Sequence, residues 1–102
     1  MYGPEPEGRW SKLIGGGDVF QGLRAGKRYV VIQAFTDYDR DAHPVGESWV
    51  YLGHAFNIHE DGLSLFVSLD GRQEWMIRLQ WLPESQAEII DHLSDRYVRP
   101  AP

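Results

Sequence analysis

The sequence predicts a mainly β domain: four or five antiparallel strands curled into a small, partly open barrel, with one α-helix at the C-terminal end. Three observations carry that expectation. Apolar runs rich in β-branched and aromatic residues recur at Tyr29-Val30-Val31-Ile32, Ser48 to His59, Leu63 to Leu69 and Gln73 to Trp81, and their length and composition suit strands. Asp61-Gly62 and Asp70-Gly71 separate the last three runs, and such dipeptides supply the positive φ angles of hairpin turns. Beyond Trp81 the period changes, so that Gln86, Ile89, Ile90, Leu93 and Tyr97 share one helical face.

Taken in order, residues 1–8 carry two prolines, two glycines and two glutamates, a composition that buries little and predicts a disordered arm. The domain proper is expected over residues 9–99, with a disordered tail at 100–102. Trp10-Ser11-Lys12-Leu13-Ile14 reads as a helical turn or short strand ended by Gly15-Gly16-Gly17. The glycine run is an ordinary turn rather than a phosphate cradle, because no helix start with Lys-Ser or Lys-Thr follows it. The first strand is expected over about Arg28 to Phe35. A two-residue turn at Asp61-Gly62 would place Glu60 opposite Leu63, Ile58 opposite Leu65, Phe56 opposite Val67 and His54 opposite Leu69. A three-residue loop ending at a left-handed Gly71 would pair Leu65 with Trp75 and Leu63 with Ile77, which keeps Glu74 and Arg78 off the core face. One sheet face then holds Val50, Leu52, Phe56, Ile58, Leu63, Leu65, Val67, Ile77 and Leu79. The other holds Trp49, Tyr51, Phe66 and Met76, and the helix residues Ile89, Ile90 and Leu93 are expected to cover it. Pro83 suits the first turn of that helix and Glu84 its positive end.

At 102 residues the chain fits one domain. It has no cysteine, which excludes disulfides, thiolate metal sites and cysteine nucleophiles. No basic and apolar leader opens it, and no apolar run approaches the roughly 20 residues that span a bilayer, so a cytoplasmic location and no membrane partner are expected. A formal charge of −5 opposes general affinity for nucleic-acid phosphates. Arg24, Lys27, Arg28, Arg72 and Arg78 supply some positive charge, but no RNP-like signature accompanies them.

The stretch from Phe35 to Trp49 draws the functional reading. It gathers Asp37, Asp39, Asp41 and Glu47 with His43, Tyr38 and Trp49 between two strands, as loops that carry binding groups do. Asp37, Asp39 and Asp41 alternate like the first ligands of a calcium loop. However, Ala42 stands where the sharp turn needs glycine and Ser48 where a bidentate glutamate belongs. A transition-metal site joining His43 to Asp39 or Asp41 would need a third ligand such as His59, and no metal or cofactor is assigned. The serines lack a nucleophile-elbow context. Asp39 and Glu47 could serve as an acid and base pair, as two carboxylates of any acidic loop could. His54 reads as a satisfied structural histidine, and His59 and His92 as solvated ones. Arg78, alone among apolar neighbours, is expected to pair with Glu47 or with an aspartate of the loop and fix the loop on the sheet.

Two resemblances arise here. Ala34-Phe35-Thr36-Asp37-Tyr38 resembles the ALYDY stretch of SH3 domains, and Glu47-Ser48-Trp49 falls near their Leu-Ser-Phe segment. That likeness implies an SH3-like barrel and a proline-rich peptide held by Tyr38 and the carboxylates Asp37, Asp39, Asp41 and Glu47. The tandem tryptophans and the Pro-Ser-Asn-Tyr-Val segment of SH3 domains are absent. Over Leu23 to Tyr97, the pattern Phe35-x-Asp37-Tyr38-Asp39, His43-Pro44-x-Gly46-Glu47-x-Trp49, Glu60-Asp61-Gly62-Leu63 and Ile77-Arg78-Leu79-Gln80-Trp81 resembles a family of small bacterial proteins known as a domain of unknown function. It implies a β-rich bacterial domain and no activity. The expected function is a non-catalytic binding or protein-interaction module for a protein or peptide, using Asp37, Tyr38, Asp39, Asp41, His43, Glu47, Trp49 and Arg78. The alternative is a small enzyme or metal-dependent protein using the same carboxylates and His43.

Overall fold

The computed structural model of the chain describes residues 1–13, 19–57, 59 and 61–102. Its strands are β1 (Tyr2–Pro6), β2 (Val19–Phe20), β3 (Leu23–Arg24), β4 (Arg28–Val31), β5 (Phe35–Thr36), β6 (Ala42–His43), β7 (Ser48–Asn57), β8 (Gly62–Ser68), β9 (Gln73–Gln80) and β10 (Val98–Pro100). Six of them form one antiparallel sheet in the order β1-β9-β8-β7-β4-β10. β2 with β3, and β5 with β6, make two small hairpins. Ser11–Leu13 form a 3-10 turn, whereas the Gly15-Gly16-Gly17 turn lies outside the described residues. The expectation of a mainly β antiparallel domain holds. The sheet, however, has six strands rather than four or five, and no closed barrel forms among the described residues. This strand order gives no support to the SH3-like likeness.

β1 comes from the segment expected to be a disordered arm, and β10 runs from the end of the expected domain into Pro100 of the expected tail. Tyr2 pairs with Met76, Glu5 with Glu74 and Pro6 with Gln73. At the other edge Val98 pairs with Val31 and Pro100 with Tyr29. What orders the N-terminal segment is a carboxylate far away in sequence. Glu74 is 1% exposed and accepts the backbone N–H groups of Gly8 (2.9 Å), Trp10 (2.9 Å) and Ser11 (3.0 Å), together with the Ser11 hydroxyl. Burial alone would raise its pKa, but these four donors outweigh it and hold the carboxyl below its ordinary value. The chain so anchored lays Trp10 on Phe66, ring centroids 6.3 Å apart.

The registers depart from expectation for local reasons. Phe56 pairs with Leu63 and His54 with Leu65, rather than with Val67 and Leu69. The turn starts early because the Asn57 Oδ1 accepts the His59 N–H at 3.1 Å, and Gly62 has already joined the strand opposite Asn57. Ile58 and Glu60, to which pairing was also assigned, lie outside the described residues. Between β8 and β9, Leu65 pairs with Ile77 and Val67 with Trp75. Here the Asp70 Oδ1 accepts the N–H groups of Arg72 (2.8 Å) and Gln73 (2.9 Å), and Gly71 takes the left-handed φ of 77°. Shifts of two or four residues keep side-chain parity, so β8 and β9 present the expected faces to the core.

Strand β7 does not keep parity. Tyr51 pairs with Val67 and Gly53 with Phe66, a β-bulge at which Gly53 adopts φ 154°, a region nearly restricted to glycine. Ahead of the bulge Trp49 and Tyr51 point into the core; beyond it His54 and Phe56 take the same side. Trp49 and Tyr51 are fully buried with Leu63, Leu65, Val67, Ile77 and Leu79, which corrects their assignment to the opposite face. The helical segment covers this core face, placing Ile90 and Leu93 in the same cluster. It is shorter than expected: α1 spans Ala87–Asp91, and a π-helical turn follows at Leu93–Tyr97. Pro83 lies in a preceding turn instead of the first helical turn, because Gln86 is tied to β9 by its backbone N–H to the Gln80 carbonyl and by its side-chain oxygen to the Gln80 N–H.

Candidate functional site

The long loop is organised by the β5–β6 hairpin, in which Phe35 pairs with His43 and Thr36 with Ala42. Asp37 follows β5 and is buried. Its Oδ1 accepts the N–H groups of Asp39 (2.9 Å) and Asp41 (3.0 Å), the turn-closing habit of an aspartate side chain. Its Oδ2 lies 2.8 Å from the His43 Nε2. The other ring nitrogen, Nδ1, lies 2.6 Å from the Glu47 Oε2, which also accepts the Trp49 indole N–H at 3.2 Å. The His43 ring stacks on Phe35 at 4.7 Å and is 1% exposed.

A ring between two carboxylates satisfies both only as an imidazolium. Burial of His43 opposes that charge, but the hydrogen bonds to Glu47 and Asp37 outweigh it, and its pKa stands above the ordinary histidine value. Both ring nitrogens are therefore committed, and His43 offers neither a lone pair to a metal nor an open nitrogen to a substrate. No group of three or more His, Asp or Glu side chains among the described residues is arranged to hold a metal ion.

The outer half of the loop is fastened to β9. The Tyr38 N–H donates to the Arg78 carbonyl at 2.8 Å. The Arg78 Nε donates to the Asp39 Oδ2 at 3.0 Å, and its Nη2 donates to the Asp39 Oδ1, a two-pronged pairing that suits a planar guanidinium. Asp39 is thus the loop aspartate that meets Arg78, and the guanidinium beside it holds its carboxyl below the usual value. Arg78 also lies 4.7 Å over the Tyr2 ring and 5.7 Å from that of Tyr38, and the Tyr2 hydroxyl donates to Asp39 at 3.1 Å. The amino group of Met1 bonds Asp41.

Of the eight sequence-selected residues, Asp37, His43 and Trp49 are buried, Glu47 bonds His43 and Trp49, Asp39 and Arg78 bond each other at the surface, and Asp41 is an exposed side chain that meets the Met1 amino group. Tyr38 is the exposed aromatic of the set, 53% accessible. It borders an open cleft of about 170 Å³ lined by Asn57, Gly62, Ser64, Met76, Arg78 and Gln80. Ordinary metabolite pockets run about 300–1,000 Å³, so the cleft is sized for a side chain. Sequence reasoning missed Tyr2, which sits in a segment with no strand signal. It also missed a second, aromatic cleft at Phe56 and Trp81, which the isolated Gly53 of a strand pattern could have indicated by marking the bulge.

Fold and site together define a small open-sheet β domain whose loop carboxylates Asp37, Asp39 and Glu47 bond within the domain. The chain belongs to the family described as a domain of unknown function, DUF3601, which matches residues 17–99. It is similar to a solved structure from the mobile metagenome of Vibrio cholerae, the integron cassette protein VCH_CASS4. The two share 34% identity and a TM-score of 0.80 over 89% of this chain and 97% of that one. No curated protein matches the chain. No helix among the described residues is long and apolar enough to cross a membrane.

Proposed function

We propose that this domain is a non-catalytic binding module that takes a protein or peptide segment in the cleft beside Tyr38. One observation supports the reading: the loop commits Asp37, His43 and Glu47 to one another and gives the surface a half-exposed tyrosine at the lining of a side-chain-sized cleft. Asp37, His43 and Glu47 form a clamp, Asp39 and Arg78 lock the loop to β9, and the Tyr38 backbone is thereby tied to Arg78 at the rim of the cleft, with little freedom to lose on binding. An aromatic ring on a rigid frame is what recognition surfaces favour. The alternative reading, a metal or acid–base centre at His43, would have to dismantle that clamp first.

Selection from a random peptide library against immobilised protein, followed by amide shift mapping, tests the proposal. Saturable shifts at Tyr38, Ser64 and Met76 that Tyr38→Ala weakens at least roughly tenfold, the loss of a hot-spot aromatic, support it. Selected peptides that map elsewhere, or that bind Tyr38→Ala equally well, overturn it.

A further inference from the structure

We infer a second recognition site at the aromatic corner of the domain, one that takes the lysine or arginine side chain of a basic segment in a partner protein. The corner is built where β7, β9 and the β2–β3 hairpin meet. Phe56 and Trp81 lie nearly parallel, 15° apart with centroids at 5.9 Å, and Phe20 turns its edge to both. Behind them Phe20 stacks on His54 at 4.3 Å, and the buried His54 hydrogen-bonds with the Tyr51 hydroxyl. The platform therefore has a fixed floor, yet Phe56 is 50% exposed.

The chemistry in front of these rings is anionic. Among the described residues an open cleft of about 280 Å³ is lined by Phe56, Asn57, Asp61, Gly62 and Trp81, a set that holds a carboxylate and no cationic side chain. The Trp81 indole N–H donates to the Asp91 Oδ1 at 3.0 Å. Donation to an anion enriches the indole face in electron density, and that density is what attracts a cation over a ring. A neutral apolar partner would cover Asp61 without compensating its charge, whereas a guanidinium or ammonium compensates it. The cleft shares Asn57 and Gly62 with the one beside Tyr38, but its chemistry is of the opposite kind, since Arg78 borders the first.

Two capped hexapeptides, one alternating glycine with arginine and one alternating glycine with glutamate, titrated into labelled protein, test the inference. The arginine peptide is expected to shift the Trp81 indole N–H signal and the amides of Phe56 and Gly62 saturably, and the glutamate peptide to leave them in place. Asp61→Asn, which tolerates the positive φ there, Asp91→Asn, which keeps an acceptor for the indole, and Phe56→Leu are each expected to weaken binding roughly threefold. Tyr38→Ala is expected to change nothing, which separates this site from the cleft beside that residue. Equal response to the glutamate peptide, indifference to Asp91→Asn and Phe56→Leu together, or stronger shifts of the same signals by a short single-stranded oligonucleotide would overturn the assignment.

Discussion

Glu74→Gln is the substitution that separates an ordered N-terminal strand from a loose arm. It preserves shape and volume, so its cost comes from hydrogen bonding alone. The carboxylate takes the Trp10 and Ser11 N–H groups on one oxygen and the Gly8 N–H and Ser11 hydroxyl on the other. An amide accepts on one side only. With its oxygen toward Trp10 and Ser11, its NH₂ confronts the Gly8 N–H, while the Ser11 hydroxyl can rotate and accept. One buried donor left without a partner costs ~1–3 kcal/mol, and two bonds that lose the anion's charge add ~1 kcal/mol, for a total of about 3 kcal/mol. At ~4–8 °C per kcal/mol for a domain near this size, the melting temperature should fall by roughly 12–24 °C if the segment unfolds with the rest. If it opens first by itself, amide-exchange protection of Tyr2 to Ser11 collapses before the melt moves. Circular-dichroism melting and native-state exchange on the same sample read both routes. A melting shift under ~3 °C together with unchanged protection of residues 2–11 would refute the anchoring argument.

His43 predicts the pH dependence on the alkaline side. Its folded pKa is raised, so the folded state binds the proton more tightly; the stabilisation is complete below the unfolded value near 6.5 and fades as pH climbs through the folded value. The melting temperature should therefore decline from pH 6.5 towards 9, and His43→Gln should flatten that decline; a ring that titrates by NMR below 6.5 would contradict it. Burial lowers the pKa of His54, and its contribution has the opposite sign, being lost below 6.5, so the two limbs can be assigned separately. Arg78→Lys keeps the charge but loses the two-pronged bond to Asp39; with both side chains partly exposed the loss is about 1 kcal/mol. It should appear as reduced amide protection at Asp39 and Asp41, and unchanged protection there would remove Arg78 from its role as the loop's fastener.

The long apolar runs were legible as strands because alternation and β-branching are local signals, and the Phe35 to Trp49 stretch was legible as an organised loop because its carboxylates crowd there. Even the Arg78 to aspartate pairing followed from one rule, that a lone cation among apolar side chains finds an anion. What escaped depends on partners distant in sequence or on single hydrogen bonds. β1 exists because Glu74 gathers the amides of Gly8, Trp10 and Ser11, and nothing within residues 1–11 announces that. The register of β7 on β8 was moved by one Asn57 side chain capturing the His59 amide, and the faces of Trp49 and Tyr51 were inverted by one extra residue at Gly53. Tyr38 stood out in the sequence through its place among the loop carboxylates, and several of those carboxylates bond within the domain instead of facing outward.

The outer strands bear on how the domain behaves in a crowd. β1 carries Pro4 and Pro6 and β10 ends at Pro100, and proline has no amide hydrogen to offer an approaching chain. Each margin of the sheet therefore breaks the regular row of donors that a foreign strand would need in order to polymerise onto it. Fibrous stacking meets a poor template at either end. Any contact with another chain then falls to side chains on the faces and loops rather than to the backbone ladder.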